Sequence, residues 1–140
     1  MADAATLPVL DLNVLVKMYG DDSVETITLA LSGFRREATV YVQQLQSVGQ
    51  HNVPTDNARK DHARTDNVLA DTARLCHSLK SMCGLVGAAK LMQLCMTLEQ
   101  AARQQDQSTL QAQLLNLTEV WSDTLAMLNL TLLQHGCADV

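Results

Sequence analysis

Aromatic residues are scarce in this 140-residue chain: one Trp, one Phe and two Tyr, 3% of the whole, against 47% apolar residues. A sheet-based core draws on aromatic and β-branched side chains, whereas Leu, Ala, Met and Gln dominate here, which favours helix. Excess basic charge is also missing. The net charge is −5, which argues against broad binding to nucleic acid or to anionic membranes. No run approaches the ~20 apolar residues of a membrane span. The opening MADAATLPVL lacks the basic flank of a secretory signal, so a cytoplasmic protein is expected. Neither C-x₂-C nor H-x₃-H spacing occurs, which weakens any zinc reading. A P-loop and a glycine-rich nucleotide lid are absent too, which excludes direct use of ATP by those devices.

What is present is helical periodicity over a length suited to one domain, residues 1–140. A short helix is expected over 11–18, ending at Gly20. In the second, Val24, Ile27, Leu31, Phe34, Ala38, Tyr41, Leu45 and Val48 recur at steps of three and four. Asp22 or Ser23 is placed to cap its start and Gly49 to end it. Residues 49–64, GQHNVPTDNARKDHAR, carry no apolar period and read as a flexible polar inter-helix loop. His51 and His62 fall in it without a ligand set around them.

The third helix is expected from Thr65 or Asp66 to Gly84–Gly87, with Val68, Leu75, Leu79, Met82 and Val86 inward. A fourth covers 88–105, with Leu91, Leu94, Cys95, Leu98, Ala101 and Ala102 inward. For the last, Ser108 and Gln111 suggest a capping box, and Leu110, Leu114, Leu117, Trp121, Leu125, Leu128 and Leu132 form the stripe up to Gly136. His135 beside that end reads as a dipole partner or surface residue. Cys76, Cys83 and Cys95 lie on or beside the apolar stripes and read as small buried hydrophobes. The fold class is all-α: an antiparallel four-helix bundle with a short additional N-terminal helix.

His77 stands out from this scaffold. It points away from the expected stripe, and its neighbours one turn away are Ala73, Arg74, Lys80, Ser81 and Gly84. Short side chains clear access to the ring, and a mid-helix glycine normally has a packing or approach reason. Glu99 lies about 18 Å beyond Gly87 along the next helix and His77 about 15 Å before it, so an antiparallel pair sets them at similar height. A carboxylate on one ring nitrogen fixes the tautomer and frees the other as nucleophile. Glu99 is equally placed to pair with Arg103 at i+4 on a solvated face.

His77, Leu79, Lys80, Gly84 and Gly87, followed by LMQLCMTLEQAAR, resemble the histidine-containing phosphotransfer (HPt) domain of multistep two-component phosphorelays. The upstream VLDLNVLVKMYGDD and Phe34 are similar to that family's N-terminal half, while 49–64 is long for it. Ser81 stands where the family usually has glycine. The resemblance implies that His77 accepts a phosphoryl group, that Lys80 offsets its charge and that Glu99 orients the imidazole. Ala70, Ala73, Arg74, Ser81 and Gly84 would form the partner-docking surface. Implied partners are response-regulator receiver domains and a hybrid sensor histidine kinase. No cofactor or metal is implied in this chain, with Mg²⁺ on the partner receiver, and a monomer is expected. The alternative is a non-catalytic helical module that docks receivers without turning phosphate over.

Overall fold

The computed structural model describes residues 7–51 and 62–135. They form five helices: α1 (Leu12–Tyr19), α2 (Val24–His51), α3 (His62–Val86), α4 (Ala89–Arg103) and α5 (Gln107–Gln134), with no strand among the described residues. The class is all-α. α2 packs on α3 and α5, and α4 packs on the same two helices from the other side, while α1 leans on α3 and α2. Arg35 reaches Asn129 and Gln46 reaches Thr118, so α2 and α5 run in opposite directions.

Caps set the helix boundaries. Asp11 accepts from the Asn13 backbone N–H at 3.0 Å to start α1. Gly20 ends it in the left-handed region at φ 67°. Ser23 Oγ accepts from Thr26 N at 3.2 Å at the head of α2. The anticipated Ser108–Gln111 box is not the cap of α5. Asp106 is, accepting from Thr109 N at 3.1 Å, because the turn after α4 is short enough to start the helix at Gln107. α2 runs through Gly49 to His51, and α3 starts at His62 rather than Thr65 or Asp66. Residues 49–51 and 62–64, expected in the loop, are therefore helical: polar sequence can extend a solvated helix that is already nucleated. Residues 52–61 of that loop, and Gly136 and Cys137 at the far end, lie outside the described residues.

The buried faces follow the sequence pattern with three departures, the smallest in α5, where Thr124 is buried and Leu125 only half-buried. In α2, Val42 is buried where Tyr41 is only half-buried, and Val24 is exposed. This helix lies between two neighbours, so its buried face is broader than one strict stripe. The shift in α3 matters more. Its buried residues are Leu69, Thr72, Ala73, Cys76, Leu79, Cys83 and Val86, while Val68 is exposed and Leu75 and Met82 are half-buried. Relative to the expected stripe the helix is turned by roughly 60° on a 100° wheel. Small Ala, Cys and Thr side chains let α3 approach α4 closely, and that contact outweighs complete burial of Val68 and Met82. The buried Thr72 hydroxyl is satisfied by the Val68 carbonyl at 2.7 Å.

The α3–α4 turn is clamped from outside. Gly87 is left-handed at φ 75°, and Ala88 N–H bonds the Cys83 carbonyl at 3.0 Å, the closing bond of a Schellman motif. The segment before α1 then pairs with this turn. Asp11 N–H donates to the Gly87 carbonyl at 2.9 Å, and Lys90 N–H donates to the Pro8 carbonyl at 3.1 Å. A Cβ on Gly87 would collide with the Asp11 carbonyl oxygen, whereas one on Gly20 would meet nothing within 4 Å. Gly87→Ala is therefore expected to lose about 2–4 kcal/mol, combining left-handed strain with a backbone clash. Gly20→Ala should lose only the strain, about 1–2 kcal/mol. Urea unfolding of the two variants checks this, and equal losses would remove the clamp from the account.

Candidate functional site

The turn of α3 toward α4 moves His77 from opposite the core to its border. Its side chain remains 58% exposed, while that of Glu99 on α4 is 10% exposed. The two meet: His77 Nδ1 lies 3.2 Å from Glu99 Oε2. An ionised carboxylate only accepts, so Nδ1 carries the proton and Nε2 keeps its lone pair.

Glu99 holds more than the histidine. Lys80 Nζ donates to Oε1 at 3.1 Å, and Arg103 donates to Oε2 from Nε at 3.1 Å and Nη2 at 2.9 Å. Burial pushes the Glu99 carboxyl up. Hydrogen bonds from Arg103 and Lys80, with the charges of Lys80 and His77, outweigh burial and hold it below the ordinary value of 4.5. Two cations face one carboxylate, so the cluster carries one excess positive charge when His77 is neutral. The two sequence readings of Glu99, as partner of His77 and as i+4 partner of Arg103, hold together on a single oxygen.

The remaining anticipated residues divide. Ala70, Arg74 and Ser81 are exposed beside His77, and Ser81 Oγ donates to the His77 carbonyl at 3.1 Å. Arg74 is paired with Asp71. Gly84 is half-buried, and a Cβ there would lie 3.8 Å from Met92 Sδ, an ordinary contact. Ala73 departs from its expected place. It is only 3% exposed, because the turn of α3 carries it into the seam with α4, where it shares a small cleft with Leu69, Ala102 and Arg103. It packs the helices together instead of lining an open docking surface.

Sequence reasoning missed that Lys80 is engaged by Glu99 instead of standing free. The available signal was its three-residue step from His77, which places it on the α4 side. Beneath the site Cys76, Cys83 and Cys95 are free and buried. Burial pushes the Cys76 thiol far up, and a hydrogen bond to Cys83 with burial does the same for Cys95, which makes both poor nucleophiles. Among the described residues no group of three or more His, Cys, Asp or Glu could hold a metal ion, and no helix is long and apolar enough to cross a membrane. His135 lies far along α5, its Nδ1 2.8 Å from the Thr131 carbonyl.

The site thus brings together an exposed imidazole, a carboxylate that holds one of its nitrogens, and a cation on the same carboxylate. The family model of the Hpt domain matches residues 30–135, and the chain belongs to that family. Membership carries a histidine phosphotransfer role in phosphorelays, where Hpt domains interact with receiver domains and kinases. Neither the curated proteins nor the solved structures give a match to the chain.

The lowered Glu99 carboxyl has a consequence in acid. Its folded value lies below its unfolded one, so its contribution to stability is complete above about pH 4.5 and is lost as pH falls through the folded value. Between about pH 5 and pH 3, the range in which carboxylates titrate, the urea midpoint of the wild type should fall more steeply than that of Glu99→Gln. Parallel curves would mean that the cluster does not stabilise the fold.

Proposed function

We propose that the chain is a phosphorelay intermediate, an antiparallel four-helix bundle that passes a phosphoryl group between receiver-domain aspartates through His77 Nε2. The observation that carries this reading is the Glu99 bond to His77 Nδ1, which leaves Nε2 as the free nitrogen on an exposed helix face.

In the accepting direction the Nε2 lone pair forms the N–P bond as the O–P bond of an aspartyl phosphate breaks. The bonding pair leaves with the aspartate, which departs as a carboxylate. The imidazole keeps its Nδ1 proton and becomes formally cationic, and Glu99 stabilises that charge through the bond already in place. The excess positive charge of the cluster faces the incoming dianion. The reverse step restores neutral His77 and re-forms the acyl phosphate. Transfer needs a near in-line approach of two folded domains. Ala70, Ser81 and Gly84 keep the helix surface low for it, and Arg74 flanks the path. Mg²⁺ belongs to the partner receiver in this reading, and the chain works as a cytoplasmic monomer between a hybrid sensor kinase and a response regulator.

A phosphorylated receiver is expected to label the wild type and not His77→Gln, with a label that is acid-labile and base-stable as a phosphoramidate is. Undiminished labelling of the variant removes His77 from its role. A chain that binds receivers yet never takes up label is instead the docking module.

Gly84→Gln tests the approach surface. The added side chain starts from a tolerated Cβ position, so helical circular dichroism should be retained. Receiver-dependent uptake should fall by roughly tenfold or more, the cost of a misplaced approach, while uptake from a small phosphoramidate persists. Exchange at the wild-type rate would place the receiver elsewhere.

A further inference from the structure

Lys80 rests on Glu99, so a phosphoryl group on His77 has to compete with that carboxylate for the lysine's charge. Its Nζ is 3.1 Å from Oε1, and its side chain is only 28% exposed. If Lys80 swings to the phosphoryl oxygens, Glu99 loses one of its two cations. Leaving a nearly buried carboxylate under-compensated is costly, and the phosphorylated imidazole offsets this only in part, because its formal charge is shared with the dianionic phosphoryl group it carries. Arg103 answers that difficulty. It occupies the other oxygen, Oε2, with two donors from one guanidinium, and its side chain is 60% exposed where it lines the cleft beside Ala73. Its hydrogen bonds go to Glu99 and not to His77.

We infer that Arg103 is a positioning residue that holds Glu99 on His77 when Lys80 leaves, and so permits Lys80 to be handed from the carboxylate to the phosphoryl group. Oε1 and Oε2 then have separate tasks. Oε1 parks Lys80 in the resting state, and Oε2 carries the permanent bonds to His77 Nδ1 and Arg103. Without Arg103, Lys80 becomes the carboxylate's remaining full cation and stays on Oε1. The phosphoryl group then loses its counter-charge even though Lys80 is still present. No bond other than a hydrogen bond is made or broken in the handover, and no proton moves.

This inference rests on His77 as the acceptor and extends that reading. The test is a cycle of Lys80→Ala, Arg103→Gln and the double variant, read as the equilibrium share of phosphoryl held by the chain against its receiver. In the wild-type background Lys80→Ala should lower that share by roughly tenfold, about 1.4 kcal/mol for a charge-assisted contact. In the Arg103→Gln background the same change should cost less than about threefold, because Lys80 is already withheld; such non-additivity is the mark of one coupled unit. Arg103→Lys, which keeps a cation on Glu99, should restore most of the Lys80 effect. All variants should keep the wild-type helical circular dichroism, since both side chains lie at the rim of the fold.

A merely structural Arg103 gives a different pattern: Lys80→Ala costs the same factor in both backgrounds. That result overturns the inference, as does an Arg103→Lys variant that behaves like Arg103→Gln. Either outcome leaves His77 as the acceptor so long as label still resides on it. Label that persists in His77→Gln fails the parent reading instead.

Discussion

One carboxylate organises the site. Glu99 is 8% exposed, and water cannot solvate it fully, so its charge has to be met by side chains. Lys80, Arg103 and His77 meet it, from two different helices. The imidazole tautomer and the resting place of Lys80 both follow from this demand. Removing the histidine would leave the carboxylate with two cations, whereas removing the carboxylate would leave two cations beside an unoriented ring. The dependence is therefore asymmetric: the site is built around Glu99, although the chemistry belongs to His77.

Burial of that carboxylate depends in turn on how α3 sits. Had α3 packed through Val68, Leu75 and Met82, the larger stripe would have been covered and His77 would have faced straight into solvent. The observed helix buries Thr72, Ala73, Cys76 and Cys83 instead. Small residues at a helix seam trade apolar area for close approach, and close approach brings short side chains such as His and Glu within hydrogen-bond range. The half-exposed Met82 and exposed Val68 are the counterpart of that choice. Ala73 belongs to the same trade, being needed small because it is inside.

Much of this was legible in the sequence. Periodicity marked all five helices, and the inward residues expected of α4 are all buried. His77, Lys80 and Glu99 were singled out, and the first two do converge on Glu99. What remained hidden was non-local. A helical wheel built on hydrophobicity weights large residues, so it misplaced the buried face of α3, where small ones set the packing. Capping chemistry pointed to Ser108 for α5, whereas the short preceding turn makes Asp106 the cap. Polar composition ended α2 too early and started α3 too late, since it reports solvation and not backbone conformation. The pairing of residues 8–11 with the α3–α4 turn has no local signature at all.

That last pairing bears on the site despite lying about 15 Å along the helix from it. His77 and Glu99 meet only if α3 and α4 keep their register, and a slip of one residue would move Glu99 by about 1.5 Å along the axis and 100° around it. Either displacement breaks a 3.2 Å contact. Side-chain packing of small residues resists such a slip weakly, because Ala and Cys make shallow knobs. Backbone hydrogen bonds resist it strongly, because they have one geometry. The bonds from Asp11 to Gly87 and from Lys90 to Pro8 straddle the turn and tie both helix ends to the same short segment. Gly87 thus has a role that reaches past helix termination. It admits the Asp11 backbone, which fixes the turn, which keeps the carboxylate opposite the histidine.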